Sequence, residues 1–256
     1  MRFFACADPL IMLLSQPNDD GPVYAETNMD RFVVEPFNAA TALLFLLIVI
    51  YWAYRLKGRF RKHKFISLCL PVLATGGIGG TIYHAFRLSP FFLYMDYLPI
   101  VFLAVAASFY FWRKVLRKKW QLYLVFSAFL SIGLAARISL HFYATGDVRL
   151  YLINIVYALL GLMIVIPLFL LLNKTSWRFG GVAIWAMVCF GLALLFRSVD
   201  KFAWFAFGTH WLWHVFGALA CSMLIEYVYR LRAVWRVMYP QPFGQQGPPA
   251  VQRMSA

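Results

Sequence analysis

Long apolar runs alternate with short polar segments along the chain, and this pattern predicts membrane-spanning helices. An α-helix needs ~20 apolar residues to cross ~30 Å of hydrocarbon. The predicted spans cover roughly residues 36–54, 65–84, 94–112, 120–140, 150–172, 180–196 and 210–229. The sequence therefore predicts an all-α membrane protein, built as a bundle of seven transmembrane helices.

The predicted bundle divides the chain into three parts. Residues 1–34 form a turn-rich extramembrane segment, and residues 35–230 form the seven-helix domain. Residues 231–256 form a tail that is first basic and then rich in proline and glutamine, for which we predict disorder. Within the second span, the glycines of residues 76–80 predict either a close helix–helix approach or an irregular helix end.

Composition excludes a soluble domain and weakens the case for a nucleic-acid partner. Of the 256 residues, 62% are hydrophobic and 13% are charged. The net charge of +14 comes from lysines and arginines in short loops between apolar runs, which is a topology signal and not a folded basic face. The four cysteines have no paired spacing, so no disulfide is expected: Cys6, Cys69, Cys189 and Cys221.

The distribution of charge along the chain predicts the orientation in the membrane. The loops after the first, third and fifth spans, with the C-terminal tail, hold 17 of the 24 lysines and arginines. Nine of the ten acidic residues fall on the opposite half, and Glu226 is the exception. By the positive-inside rule, the N-terminus lies outside and the C-terminus lies in the cytoplasm.

Two histidines open the seventh span, four residues apart. On a helix, His210 and His214 lie on one face, about 6 Å apart along the axis, which suits two nitrogen ligands of one zinc ion. Imidazoles in a membrane helix are rare and usually functional. The alternative is two interfacial histidines within an aromatic belt, because tryptophans surround them.

The predicted topology brings further ionisable residues to the same depth in the outer part of the bilayer. Four of them come from three helices: His84, Asp96, His210 and His214. Three histidines with an open fourth position are typical of a catalytic zinc site. Candidate supporting residues at this level are Glu35, Asn38, Arg197 and Asp200. For Asp200, a loop carboxylate paired with Arg197 or Lys201 is the alternative.

Three sequence blocks resemble the alkaline ceramidase family: GGIGGTIYHAF at 76–86, MDYLPI at 95–100 and GTHWLWHVFGAL at 208–219. The segment AETN at 25–28 with VEPFNAATALLF at 34–45 is similar as well, so the resemblance covers about residues 24–229. It implies a seven-helix zinc amide hydrolase, akin to adiponectin-receptor-type proteins, that splits ceramide into a sphingoid base and a fatty acid. It also implies that Zn²⁺ is held by His84, His210 and His214, with Asp96 as the catalytic acid/base.

Two positions depart from the family pattern. Where the family usually carries a serine that helps to stabilise the oxyanion, this chain has Gly80, so weakened or altered activity is expected and Gly80→Ser should raise turnover. The resemblance also implies a Ca²⁺ site at Glu26, Asn28 and Glu35, although an upstream acidic ligand is replaced by Val23. Whether calcium binds is left open.

The leading hypothesis is an intramembrane zinc amidase that acts on a ceramide-like lipid from the bilayer, with its active site toward the non-cytoplasmic side. The alternative is a seven-helix zinc-containing lipid receptor or sensor with weak or no hydrolase activity, which the glycine at position 80 would suit. A retinal protein is excluded by the absence of lysine from residues 211–229. A transporter is disfavoured because the sequence shows no internal repeat.

Overall fold

The structure, a computed structural model, describes Pro17, Asp19 and residues 21–143 and 148–238. All the regular secondary structure of these residues is helical, and they contain no strand. The helices are α1 Pro36–Arg55, α2 Lys64–Phe86, α3 Pro90–Val115, α4 Lys119–Tyr143, α5 Val148–Lys174, α6 Gly180–Val199 and α7 His210–Met238. Short 3₁₀ turns precede α2 and follow α6.

All seven helices are long and apolar enough to cross a membrane. The prediction of an all-α fold with seven such helices is confirmed, and it indicates a multi-pass membrane protein. The three described cysteines, Cys69, Cys189 and Cys221, are free thiols. Cys6 and the tail from residue 239 lie outside the described residues.

Two helices, α3 and α7, extend furthest beyond the predicted spans. Helix α3 begins at Pro90, where the fixed φ of proline suits the first helical turn. Helix α7 runs on to Met238 because Leu231 and Val234 continue its apolar face and are buried against the core. The first residues assigned to the tail are therefore helical.

Neighbouring helices in sequence mostly pack side by side. Helix α2 packs between α1 and α3, and α7 packs along α6 and against α1. Helix α3 also contacts α5, which carries the peripheral and largely exposed α4. Consequently the C-terminal end of α2 and the first turns of α3 and α7 meet at one end of the bundle, called the site end below.

Most of the buried core lies toward the opposite end of the bundle, called the basic end. The buried residues of this cluster are Trp52, Leu56, Ile66, Leu70, Ala107, Phe111, Leu168, Leu171, Leu172, Ala183, Tyr227, Val228 and Leu231. Near the site end, a smaller cluster contains Tyr157, Ala193 and Trp213. Between the two lies an apolar cavity of about 170 Å³ whose lining includes Phe45, Ile100, Leu168, Trp213, Gly217 and Leu224.

The glycines of α2 allow α3 to approach closely. A Cβ atom added to Gly79 would lie 2.6 Å from the carbonyl carbon of Met95, so only glycine fits there without movement of the α3 backbone. Helix α2 continues through residues 76–80 to Phe86. Of the two structures predicted for these glycines, the close helix–helix approach is therefore confirmed, and the irregular helix end is wrong.

Candidate metal centre

Three histidines meet at the site end. His84 lies in the last turn of α2, and His210 and His214 lie in the first turns of α7. All three are at most 2% exposed, and one ligand atom from each lies within 4.8 Å of the others. The ring centroid of His84 lies 5.4 Å from that of His210 and 4.9 Å from that of His214. Three buried histidines are therefore close enough to hold one metal ion.

The ring nitrogens at the centre of this cluster lack ordinary partners. His84 Nε2, His210 Nδ1 and His214 Nε2 are buried and make no hydrogen bond to any described residue. Burying a polar atom without a partner costs free energy, so buried polar atoms in proteins are normally hydrogen-bonded or bound to a metal ion. Three imidazoles this close together suit Zn²⁺ better than hard cations such as Ca²⁺, which prefer oxygen ligands. The residues present therefore fit zinc.

Glu35 fixes the orientation of the His84 ring. Its Oε2 lies 2.5 Å from His84 Nδ1, which leaves Nε2 directed at the other two histidines. A carboxylate on the far nitrogen of a metal-binding histidine sets its tautomer and increases its basicity as a ligand. Asn38, another predicted supporting residue, donates its side-chain amide to Glu35 at 3.2 Å.

Arg87 completes this buried network. Its guanidinium donates to Glu35 Oε1 at 2.7 Å and to both carboxylate oxygens of Asp19 at 2.8 Å. Burial alone would raise the pKa of Glu35, but the hydrogen bond to His84 and the charge of Arg87 outweigh it, so the pKa is lowered. Thr27 also donates its hydroxyl to Glu35 at 2.6 Å. Glu35 is thus held as an ionised hydrogen-bond acceptor.

Asp200 holds the beginning of α7 in place. One of its carboxylate oxygens accepts the backbone N–H groups of Thr209 at 2.6 Å and His210 at 2.8 Å, and the other accepts that of Ala25 at 3.1 Å. The turn that permits this contains Gly208, whose φ of +63° favours glycine. Asp200 thereby anchors His210 through the backbone, and it forms no ion pair with Arg197 or Lys201.

Asp96 lies beside the cluster without being part of it. Its Oδ2 is 3.9 Å from His84 Nε2, and its side chain is 17% exposed while the histidines are sealed. It reaches this position because Gly80, on α2, has no side chain: an added Cβ would lie 2.5 Å from Asp96 Oδ1. Asp96 is therefore the partly accessible carboxylate beside the histidines, and it lies one helical turn before Ile100, which lines the cavity.

The residues predicted for calcium are engaged in other contacts. Glu26 is buried and accepts the backbone N–H groups of Phe37 at 2.5 Å and Asn38 at 3.0 Å, so it caps the start of α1. Burial raises the pKa of Glu26, against the effect of these hydrogen bonds. Asn28 Oδ1 accepts from the backbone of Asp30 at 3.0 Å. The calcium site stays a prediction.

Two residues at the site escaped the sequence analysis. The sequence pattern gives Arg87 no role, and its position three residues after His84 is the one signal that it offers. Tyr24 was given no role, yet its ring stacks on His210 with centroids 3.8 Å apart. Burial raises the pKa of the Tyr24 hydroxyl above its usual range, so the group remains a hydrogen-bond donor. Two hydroxyls close to Gly80 in sequence are engaged elsewhere: Thr81 donates to the backbone carbonyl of Gly77 at 2.7 Å, and Tyr83 donates to Asp19 at 3.4 Å.

Comparison with known proteins adds no relatives to this picture. No protein-family model matches the chain, and no curated protein matches it. The resemblance to alkaline ceramidases therefore stays a prediction based on the sequence blocks, and the geometry of the site carries the argument that follows.

Proposed function

We propose that this chain is an intramembrane zinc-dependent amidase that hydrolyses a lipid amide, ceramide being the first candidate. The observation that carries the proposal is the set of three buried histidines with unpaired nitrogens and a partly accessible carboxylate, Asp96, beside them. Such a set resembles catalytic zinc sites, where three protein ligands leave one position open. Zinc, when bound, supplies a Lewis acid and lowers the pKa of a coordinated water to ~7.

The protein's own groups would then manage the protons of the reaction. Hydrolysis of an amide adds OH to the acyl carbon and a proton to the amine nitrogen as the C–N bond breaks. Asp96 is placed to take a proton from the attacking water and to give it to the leaving amine. Glu35 and Asp200 would not touch the substrate, since they hold His84 and His210 in position.

The apolar cavity supports a lipid substrate. It adjoins the histidine cluster, because Phe45 and Trp213 line it while Phe45 also packs edge-on against His214, with centroids 6.4 Å apart. Its lining is almost wholly apolar and runs from there toward the core of the basic end. An acyl chain is the ligand that such a lining suits. With the predicted orientation, the amide would be cleaved toward the non-cytoplasmic side of the membrane.

Metal analysis combined with a hydrolysis assay tests this function. Purified protein should contain close to one zinc per chain and should hydrolyse ceramide in a manner that a chelator abolishes and zinc restores. His84→Ala, His210→Ala and His214→Ala should each remove most of the zinc, since each takes away one of three ligands. Asp96→Asn should keep the zinc but lose at least ~10² in kcat.

Two results would contradict parts of this proposal. If Asp96→Asn lost zinc as completely as His84→Ala, Asp96 would be a ligand and another group would have to act as the base. If zinc bound in full and no lipid amide were hydrolysed, the alternative function would stand, namely a zinc-containing lipid receptor or sensor. The specific observation that favours this alternative is Gly80, which supplies no hydroxyl beside Asp96.

A further inference from the structure

Arg197 directs its charge into the bundle. It lies in the last turn of α6, and its guanidinium carbon is 4.8 Å from the ring centroid of Tyr157 and 5.3 Å from that of Trp213. Both rings belong to the buried cluster near the site end and are less than 10% exposed. An arginine at a helix end in a membrane usually extends its charge toward the headgroups. Arg197 instead stacks on core aromatic residues beside the histidines.

No carboxylate neutralises this guanidinium among the described residues. The acidic residue nearest to it in sequence, Asp200, has both oxygens occupied by backbone N–H groups. Asp96 feels the charge of Arg197, but no ion pair joins them within 4.0 Å. Nor does Arg197 donate a hydrogen bond to any residue in the described part of the chain. Arg197 is half-buried, and Trp213 beneath it lines the cavity, so its N–H donors are placed to meet an acceptor supplied by a ligand.

Tyr24 provides a second, independent donor at the same place. Its ring stacks on His210, it is 9% exposed, and it interacts electrostatically with both Arg197 and Asp96. Its hydroxyl makes no hydrogen bond within the described residues, whereas its backbone N–H does, to Thr27. Two donors from different parts of the chain, one of them cationic, therefore lie near Asp96 and the histidines.

We propose that Arg197, assisted by Tyr24, binds a carboxylate or phosphate group on the amine side of the lipid amide. The inference rests on the proposed function and narrows it: the preferred substrates would be acidic lipid amides, and ceramide, whose polar end is neutral, would be a poorer one. The arrangement of the cavity fits a substrate that has an apolar acyl chain at one end and an acidic group at the other. Trp213 both stacks under Arg197 and lines the cavity, so a chain lying in the cavity would bring its polar end to the arginine.

A matched pair of ligands tests the proposal by binding, apart from turnover. N-oleoylglycine and N-oleoylethanolamine share one acyl chain and one amide, and they differ in a carboxylate against a hydroxyl. Each is titrated against the full-length protein in a neutral detergent, with displacement of a fluorescent fatty-amide probe as the signal. We expect the wild type to bind N-oleoylglycine roughly ten- to hundred-fold more tightly, as one or two charge-assisted hydrogen bonds would allow.

Variants assign the preference to Arg197. Arg197→Gln should bind both ligands about equally, and Arg197→Lys should retain part of the preference because it keeps the charge without the planar fork. Arg137→Gln is the matched control, since Arg137 is exposed on the peripheral α4 and its loss changes net charge by the same amount. Zinc content and thermal unfolding of each variant establish that it is folded.

Several outcomes would overturn the inference. Equal affinity of the wild type for the two ligands would do so, and so would a preference that survives in Arg197→Gln. A third such outcome is binding of free oleate that depends on Arg197, without any preference for N-oleoylglycine over N-oleoylethanolamine. Arg197 would then bind the carboxylate of the fatty-acid product. If Arg197→Gln lowered kcat equally for both amides and left both affinities unchanged, Arg197 would act only through Asp96. A preference that depends on Arg197 in a protein that hydrolyses neither amide would leave the anion site standing and would overturn the proposed function alone.

Discussion

Gly80 determines where the Asp96 carboxylate can lie. From the sequence alone, the missing serine reads as a lost hydrogen-bond donor, so restoring it should raise turnover. In the structure, the Cβ atom of any side chain at this position would lie 2.5 Å from Asp96 Oδ1 and 3.5 Å from Ala42 Cβ. A serine would therefore displace the carboxylate before its hydroxyl could help, and the expected sign of the substitution is reversed.

We predict that Gly80→Ser and Gly80→Ala both lower kcat on a lipid amide by roughly 10²-fold, the scale of a 1 Å misplacement of a catalytic group. The Michaelis constant should change little, because the defect is in the reacting groups. Zinc content should be unchanged, since no histidine moves.

Gly217→Ala is the control for Gly80, because Gly217 is also a helical glycine at the cavity and an added Cβ there meets only Phe45, at an ordinary 3.7 Å. Steady-state kinetics on the three variants decide the matter. A kcat for Gly80→Ser above that of the wild type would show that Asp96 has room to move and that the donor is what the site lacks.

At the level of residues, the sequence identifies the histidines and Asp96 because topology alone brings helix ends to one depth. It cannot identify the partners of Glu35. That network depends on Arg87 adopting a left-handed backbone conformation, with a φ of +49°, which turns its side chain under the N-terminal segment. No periodicity or spacing predicts such a conformation for an arginine.

The N-terminal segment, described at Asp19 and over residues 21–35, is part of the site and not a loose extension of α1. It places Tyr24 on His210 and Glu26 under the first turn of α1, and it brings the backbone N–H of Ala25 to Asp200. Its backbone also pairs with the end of α2, from Val34 to the carbonyl of Ala85 at 2.8 Å. The sequence predicts this segment as extramembrane and turn-rich, but its contacts are long-range and have no local signature.

Arg87 ties this segment to α2, and its removal should cost both stability and metal. Asp19 and Glu35 are fully buried carboxylates that share this one guanidinium. Without it, two uncompensated charges remain, and breaking a buried pair in this way costs about 3–5 kcal/mol. Because Glu35 also holds His84, Arg87→Ala should weaken zinc binding by roughly 10–100-fold.

Denaturant unfolding and zinc titration of the purified variants check this prediction. Arg31→Ala is the matched control, since Arg31 is exposed on the same segment and should change neither quantity. Arg87→Lys should fall between the wild type and Arg87→Ala, because an ammonium keeps the charge but cannot bridge both carboxylates with paired donors. An Arg87→Ala protein as stable as the wild type would mean that the network contributes nothing to holding the site.

Across the whole molecule, charge is divided between the two ends of the bundle. Of the acidic residues that the structure describes, all but Glu226 lie at the site end. Four of them accept hydrogen bonds there, namely Asp19, Glu26, Glu35 and Asp200. At the basic end, Glu226 forms an ion pair with Arg55 that joins α7 to α1. Glu226 forms a second ion pair with Arg230, within α7. The single acidic residue that departs from the charge rule is thus a structural one, and the lysines and arginines around it remain available to set the orientation.

The number of helices and their meeting at one end could be predicted because span length and loop charge depend on local composition. The cavity could not be predicted, because it arises where six helices, all except α4, leave space between them. The sequence of a single helix does not show how completely it packs against its neighbours. The same limit applies to Arg197. Its depth in the membrane can be predicted from its place in the chain, but the contact of its guanidinium with Tyr157 and Trp213 cannot.

The orientation in the membrane is the last prediction, and it decides from which side a substrate's polar end reaches the histidines. Asp30 is exposed on the N-terminal segment, and Lys118 is exposed in the loop between α3 and α4 at the basic end. In a protein carrying Cys6→Ser, Asp30→Cys should react with a membrane-impermeant maleimide on intact cells, and Lys118→Cys only after permeabilisation. Arg61→Cys, exposed between α1 and α2, should behave as Lys118→Cys does because it lies at the same end. The Cys6→Ser parent gives the background from the three helical cysteines. If only the Lys118 and Arg61 variants reacted on intact cells, the orientation would be the reverse of the predicted one, with the histidines toward the cytoplasm. The polar end of the lipid amide would then have to reach the site from the cytoplasmic side.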